Sequence, residues 1–228
     1  MKPSAMAALA VAAPLLLACC GDSGAGERSA ASPVVTPTAA ASQAPPATSA
    51  PTKTGAPTGE GGRIGGGSSG VTLRLPAGWK GVDPLNDSSA VVRTTFGLDG
   101  DTGPLIRSLM ERQVKQGTVF AIDTSVASGL APHLQAGCDR GGMVGASLEQ
   151  LKRKQQALAP GSKITDLTVG GKPGFKATYD SQKRSGPVSG LTVRVPVAAD
   201  RFCFVDIEAR QGGLPAEAEK IAASFEPT

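Results

Sequence analysis

The chain has 228 residues and a formal net charge of +4, from 23 Lys and Arg against 19 Asp and Glu. Its basic residues are scattered, and its one Trp, one Tyr and six Phe do not interleave with them, which argues against a nucleic-acid surface. The length leaves room for one domain once the N-terminal 70 residues, which cannot supply a core, are set aside.

Residues 1–18 read as a signal peptide: Met1-Lys2 precedes an apolar run, Ala5 to Ala18, too short to cross a membrane as a helix. The run ends in Leu16-Leu17-Ala18-Cys19, which resembles the bacterial lipobox. Leu16 suits ordinary signal cleavage poorly, and Cys20 fits worse as the acceptor because a Cys would precede it. On this reading Cys19 is the lipidation site and first mature residue, its thioether-linked diacylglycerol holding the chain to the outer face of the cytoplasmic membrane. Two acyl chains give stable anchoring where one gives marginal binding. Residues 19–70 are rich in Ala, Pro, Ser, Thr and Gly and are expected to form a disordered tether, spanning on the order of 40 Å as a flexible coil. Gly61-Gly62 and Gly65-Gly66-Gly67 belong to it, lacking the flanking strand and helix that phosphate cradling needs.

Order is expected from Val71, giving a globular domain over 71–228. Val71, Leu73 and Leu75 alternate as a strand, and Pro76-Ala77-Gly78-Trp79 turns into a short second one. Ala90–Leu98 is β-branched and reads as a strand; Leu105, Ile106, Leu109, Met110 and Val114 then recur at helical spacing from about Pro104 to Gln116. Thr118–Ala127 reads as a strand, and Ser128–Gly142 as a loop with at most a short extended piece. A helix follows from Ser147 to Pro160. Ile164–Val169 and Phe175–Tyr179 form a hairpin around residues 170–174; Leu191–Val197 and Arg201–Ala209 form two more strands. Pro215–Phe225 closes the chain as an amphipathic helix. This order argues for an α+β domain, one curved antiparallel sheet with helices on its faces.

Cys138 and Cys203 are the two cysteines beyond the tether, and an exported domain permits disulfides, so they are expected to pair and to stabilise by ~4 kcal/mol in the chain-entropy model. Two buried free thiols are the alternative; two Cys and one distant His lack metal-ligand spacing.

The segments "GGKPGF" leading to "KATY", "VRVPVAADRFCFVDIEA" and "PAEAEKIAASFEP", with "LRLPAGW" at the start, resemble the PsbP/Mog1-like fold, and more narrowly the LpqN/LpqT-like lipoproteins of high-GC Gram-positive bacteria. The resemblance covers roughly Val71 to Pro227. It implies a seven-strand-scale antiparallel sheet in an α-β-α sandwich and a binding or assembly role at the cell envelope. It carries no catalytic motif and no functional residue over to this chain.

Individual candidates weigh toward plain readings. His133, the single histidine, has no nucleophile motif and reads as an exposed loop residue. Asp99-Gly100-Asp101 begins like a calcium loop, but Gly103 and Met110 fall where ligands are needed, so it reads as a surface turn. Lys152-Arg153-Lys154 on the second helix, and Lys183 and Arg184 after the Phe175–Tyr179 strand, are candidate contacts to anionic envelope polymers against an ordinary solvating role. Trp79 is a candidate ligand contact or else a plug at the edge of the core. No catalytic, metal or cofactor site is expected. The leading functional expectation is a non-enzymatic lipoprotein that binds an envelope protein or glycolipid through its sheet or a flanking groove. The alternatives are an acyl-chain carrier and a hydrolase with an unfamiliar site; an active-site-like cleft in which polar side chains converge on one point would sink the non-enzymatic expectation.

Overall fold

The last strands of the chain show the organising pattern most clearly. In Arg201–Arg210 (β9 below), Phe202, Phe204, Asp206 and Glu208 project to one side and Cys203, Val205, Ile207 and Ala209 to the other, as a period of two requires. All of these are buried or nearly so, so both sides of the strand are covered. The computed structural model describes residues 62–140, 145–183 and 185–228. The expected signal peptide, Cys19 and most of the expected tether lie outside these residues, as does Arg184.

The described elements are β1 (Gly62–Gly65), a short 3-10 turn, β2 (Val71–Leu75), β3 (Trp79–Val82), α1 (Ala90–Thr95), α2 (Gly103–Lys115), β4 (Val119–Asp123), β5 (His133–Arg140), α3 (Leu148–Leu158), β6 (Lys163–Val169), β7 (Lys172–Lys183), β8 (Gly186–Ala198), β9 (Arg201–Arg210), α4 (Glu217–Ala223) and β10 (Glu226–Pro227). Strands β3-β4-β5-β9-β8-β7-β6 form a seven-stranded antiparallel sheet in that order. The chain is therefore α+β, an antiparallel sheet flanked by helices.

One face of this sheet is apolar over its central strands, with Lys176 of β7 at its margin paired to Glu219 of α4. Leu134, Ala136, Leu191, Val193, Val205 and Ile207 pack there against β1 and β2 and against Ile221 and Phe225 at the end of the chain. The cover is a second, three-stranded sheet, β1-β2-β10, together with α4, where the sequence suggested helices alone. Isolated, β2 would leave its hydrogen-bonding edges open; β1 and β10 close both, and the Thr228 amide donates to the Gly70 carbonyl. Described order thus begins at Gly62, ahead of Val71, and Gly65 sits in a strand rather than in a tether.

Three other expectations are corrected. Residues 90–95 are helical despite their β-branched side chains: Ser89 takes an extended N-cap conformation, and Val92 and Thr95 are buried. The Thr95 hydroxyl receives the Ala131 amide (3.0 Å), so tertiary contacts override strand propensity. The region read as a loop holds β5, a full partner of β9 over His133–Arg140. Gly170 and Gly171, both at positive φ, complete the β6–β7 turn by themselves, so Pro173 and Gly174 belong to β7. Helix α3 starts as expected, on a capping box between Ser147 and Gln150.

Cys138 and Cys203 form a disulfide between directly opposed residues of β5 and β9, at the middle of the sheet. Gly70 packs on it with φ +67, and a Cβ there would lie 2.8 Å from the Cys138 sulfur and 3.1 Å from the Arg201 guanidinium. Gly70→Ala is expected to cost about 2 kcal/mol through its left-handed conformation, and replacing both cysteines by serine up to ~4 kcal/mol. Urea unfolding of the two variants beside the parent checks both.

Candidate functional site

The opposite face of the large sheet is not uniform. At one end Phe175, Ala177, Phe202 and Phe204 pack under Leu151 of α3; at the other Val82, Val92, Met110, Phe120 and Ile122 form a second apolar cluster with α1 and α2. Between them runs a polar stripe two residues wide. In one row β5, β9, β8 and β7 bring His133, Glu208, Gly190 and Tyr179 side by side; in the next they bring Gln135, Asp206, Thr192 and Ala177.

Glycine in the first row has a geometric function. A Cβ on Gly190 would collide with the Tyr179 ring, so the missing side chain lets that ring lie across β8 toward Glu208. The Tyr179 hydroxyl donates to Glu208 Oε1 at 2.8 Å, and Lys183 Nζ reaches both carboxylate oxygens at 2.6 and 2.7 Å. His133 stands on the other side, Nε2 3.8 Å from Glu208 Oε2. In the second row Asp206 accepts from Thr192 and from Arg194 (3.0 Å), whose guanidinium also lies over Phe202 and Phe204.

Above the stripe is a recess of about 510 Å³. Its floor holds His133, Gln135, Asp206, Glu208 and Lys183; its walls include Phe96, Ile106, Met110, Phe120 and Val188. Helix α2 roofs it loosely, since of its thirteen residues only Gly103 and Met110 are buried.

The charges of the floor are set by burial and by their partners. Burial alone would raise the Glu208 carboxyl, but the Lys183 ammonium and its hydrogen bonds outweigh this and hold it below the usual value of 4.5. Burial pushes the Tyr179 phenol far above its ordinary value, with the Asp206 and Glu208 charges adding to it. Burial lowers His133 below 6.5 against the opposing pull of Glu208. The ring is therefore neutral at pH 7. Its Nδ1 lies 3.0 Å from the Ala131 carbonyl, which only accepts, so Nδ1 carries the hydrogen and Nε2 presents a lone pair.

Polar side chains therefore converge on Glu208 in a cleft, the arrangement expected to count against a purely binding module, and two features of its chemistry bear on that. A carboxyl held ionised is the reverse of a general acid. No hydroxyl or thiol is hydrogen-bonded to His133 among the described residues, so the nucleophile–base pair of acyl transfer is not assembled.

The candidates from sequence divide accordingly. Lys183 is in the recess, on Glu208. His133 is corrected from an exposed loop residue to a nearly buried member of β5, edge-on to Phe96. Asp99 pairs with Arg93 at 2.6 Å and sits at the rim. Trp79 is buried in the apolar cluster of the other face with Ala121 and Leu134, and does not line the recess. Lys152 is engaged by Glu149 and Asp166, leaving Arg153 and Lys154 exposed. Cys138 and Cys203 are joined, and Cys19 and Arg184 lie outside the described residues. Tyr179, Asp206 and Glu208 were missed. The signal was the Asp-x-Glu alternation inside Val205–Ala209, which reads as a solvent face unless helices are laid over it.

No family model matches the chain, and no curated protein matches it. Among solved structures, it is similar to the cyanobacterial PsbP (CyanoP) of Synechocystis sp. PCC 6803, at 13% identity over 74% of this chain and 93% of that one, with a TM-score of 0.42. It is also similar to a Bacteroides thetaiotaomicron VPI-5482 structure, at 12% identity over 74% of this chain, with a TM-score of 0.43. This chain spans about half the length of the latter, 49%.

Gly190→Ala is expected to drive the Tyr179 ring off Glu208, visible as a changed tyrosine near-ultraviolet signal in a still-folded domain. Stability should fall with pH in two stages. The unfolded chain takes up a proton at His133 below pH 6.5 that the folded domain resists; the stabilisation from ionised Glu208, present above 4.5, is lost as pH falls through its lower folded value. His133→Gln should abolish the first stage and leave the second, measured by urea midpoints from pH 7.5 to 3.5.

Proposed function

We propose that the chain is an envelope lipoprotein, held through Cys19 at the outer face of the cytoplasmic membrane. Its globular domain is a non-enzymatic binding module for a small amphipathic envelope molecule, of the glycolipid kind. The observation that carries this is the recess beneath α2, apolar on its walls and lined below by buried hydrogen-bonding groups. Its volume, about 510 Å³, lies within the range of small-ligand pockets and is too small for a folded protein partner.

The roof suits a ligand's passage. A methyl group at Gly103 would collide with the Leu98 carbonyl, and one at Gly117 with the Ser68 carbonyl, so both ends of α2 are closely seated. Between them Ile106 and Gln113 are half-buried, and Leu105, Leu109 and Val114 are exposed. Lifting the middle of such a helix uncovers Met110 and its contact with Phe120 but no other buried side chain of α2, and closing it on an apolar chain buries them again with the chain.

Native mass spectrometry of the protein extracted from its own membranes tests this. The expected result is a bound species of a few hundred daltons, absent from an Ile106→Trp variant that fills the recess. A ligand-free protein that takes up nothing from a total envelope lipid extract, or uptake that the tryptophan leaves unchanged, overturns it. For the anchor, Cys19→Ser is expected to move the protein from the membrane to the soluble fraction; retention in the membrane would contradict it.

A further inference from the structure

The polar floor of the recess specifies the ligand's headgroup more narrowly. Its acids differ in how they are neutralised. Asp206 is paired with Arg194, itself held over Phe202 and Phe204, so that pair is fixed in the sheet. Asp99 is paired with Arg93 at the rim. Glu208 is as buried as Asp206, each with its side chain 12% exposed, yet its cation is Lys183, 45% exposed at the last residue of β7. A buried carboxylate is thus neutralised by a primary ammonium that reaches in from the mouth.

A buried carboxylate left without its cation is strongly disfavoured. A neutral or anionic headgroup must therefore leave Lys183 in place and share the floor with it. A ligand bearing its own ammonium can take over both Glu208 oxygens while Lys183, already half in water, swings out and is solvated. The exchange leaves the buried charge unchanged, so the apolar remainder, laid against Phe96, Ile106 and Met110, drives binding. The His133 Nε2 lone pair, 3.8 Å from Glu208, adds an acceptor facing the same point, and Tyr179 fixes the carboxylate from the opposite side.

We propose that the Glu208 floor is a primary-ammonium site, that the module's ligand is an amino-bearing amphiphile, and that Lys183 is the internal group it displaces. The inference rests on the recess being a ligand site. Calorimetric titrations of the domain with n-decylamine and decanoate below their micelle concentrations and n-decanol below its solubility limit separate the two claims. Decylammonium is expected to bind tighter than decanol, which has to share the floor with Lys183, and in Lys183→Met, where it gains Glu208 without displacing a cation, at least about tenfold tighter, the scale of a charge-assisted contact. Lys183→Met should tighten the amine further by removing its competitor. The near-isosteric Glu208→Gln should abolish the preference while decanol still binds, which also shows that the variant is folded.

An amine no tighter than the alcohol, or a preference that survives Glu208→Gln, overturns the proposal while decanol binding keeps the recess as a ligand site. If none of the three binds, the recess reading falls and takes the proposal with it.

Discussion

A sheet covered on both faces places every other side chain of its central strands under one cover or the other, and this constraint gives the domain its two different interiors. In β9 it sends Val205 and Ile207 beneath the small sheet and Asp206 and Glu208 beneath the helices. Beneath the small sheet nothing polar needs a partner, and the contact area between apolar side chains holds the layers together. Beneath the helices, hydrogen bonds and charge pairs must make up for the water that is excluded.

The second interior is built to meet that requirement. Asp206 receives Thr192 and Arg194, Glu208 receives Tyr179 and Lys183, and no deeply buried side-chain nitrogen or oxygen lacks a hydrogen-bond partner among the described residues. Replacing such a stripe with apolar residues of similar size commonly leaves a protein as stable or more so, so folding alone does not account for it. Stability comes from elsewhere: from the apolar face and from the β5–β9 disulfide beside Gly70. The recess therefore lies where the fold is least committed, under a helix with one buried side chain beyond its terminal glycine, while the opposite face keeps the floor in register.

Much of this was legible in the residues and some was not. The four final strands and the helices at Gly103–Lys115 and Leu148–Leu158 follow from alternation and caps, signals local to each segment. The pairing of Cys138 with Cys203 follows from compartment and position. Residues 90–95 misread because Ala-Val-Val-Arg-Thr-Thr favours a strand locally, whereas the contacts that make it a helix come from Gly129 and Ala131, more than thirty residues away. β5 does alternate, Leu134, Ala136 and Cys138 against His133, Gln135 and Asp139, but its apolar side chains are mostly small and Gly137 and the neighbouring Gly129 and Pro132 read as loop. For the site, Lys183 was singled out for its charge, but its partner Glu208 lies on another strand. No single segment announces that Asp-x-Glu is roofed; only the topology, which threads β9 between β5 and β8, shows it.

The central claim, that a small molecule is taken up between α2 and the polar stripe, is tested most directly by following backbone amides of the ¹⁵N-labelled domain during titration with n-decanol, a probe that makes no demand on the headgroup. The account predicts saturable shifts concentrated at Phe96, along α2 around Met110, at Phe120 and at Val188, with the amides of Leu73, Ile221 and Phe225 unmoved. Shifts confined to the face that carries Leu73 and Phe225, or none up to the solubility limit of the alcohol, would contradict it.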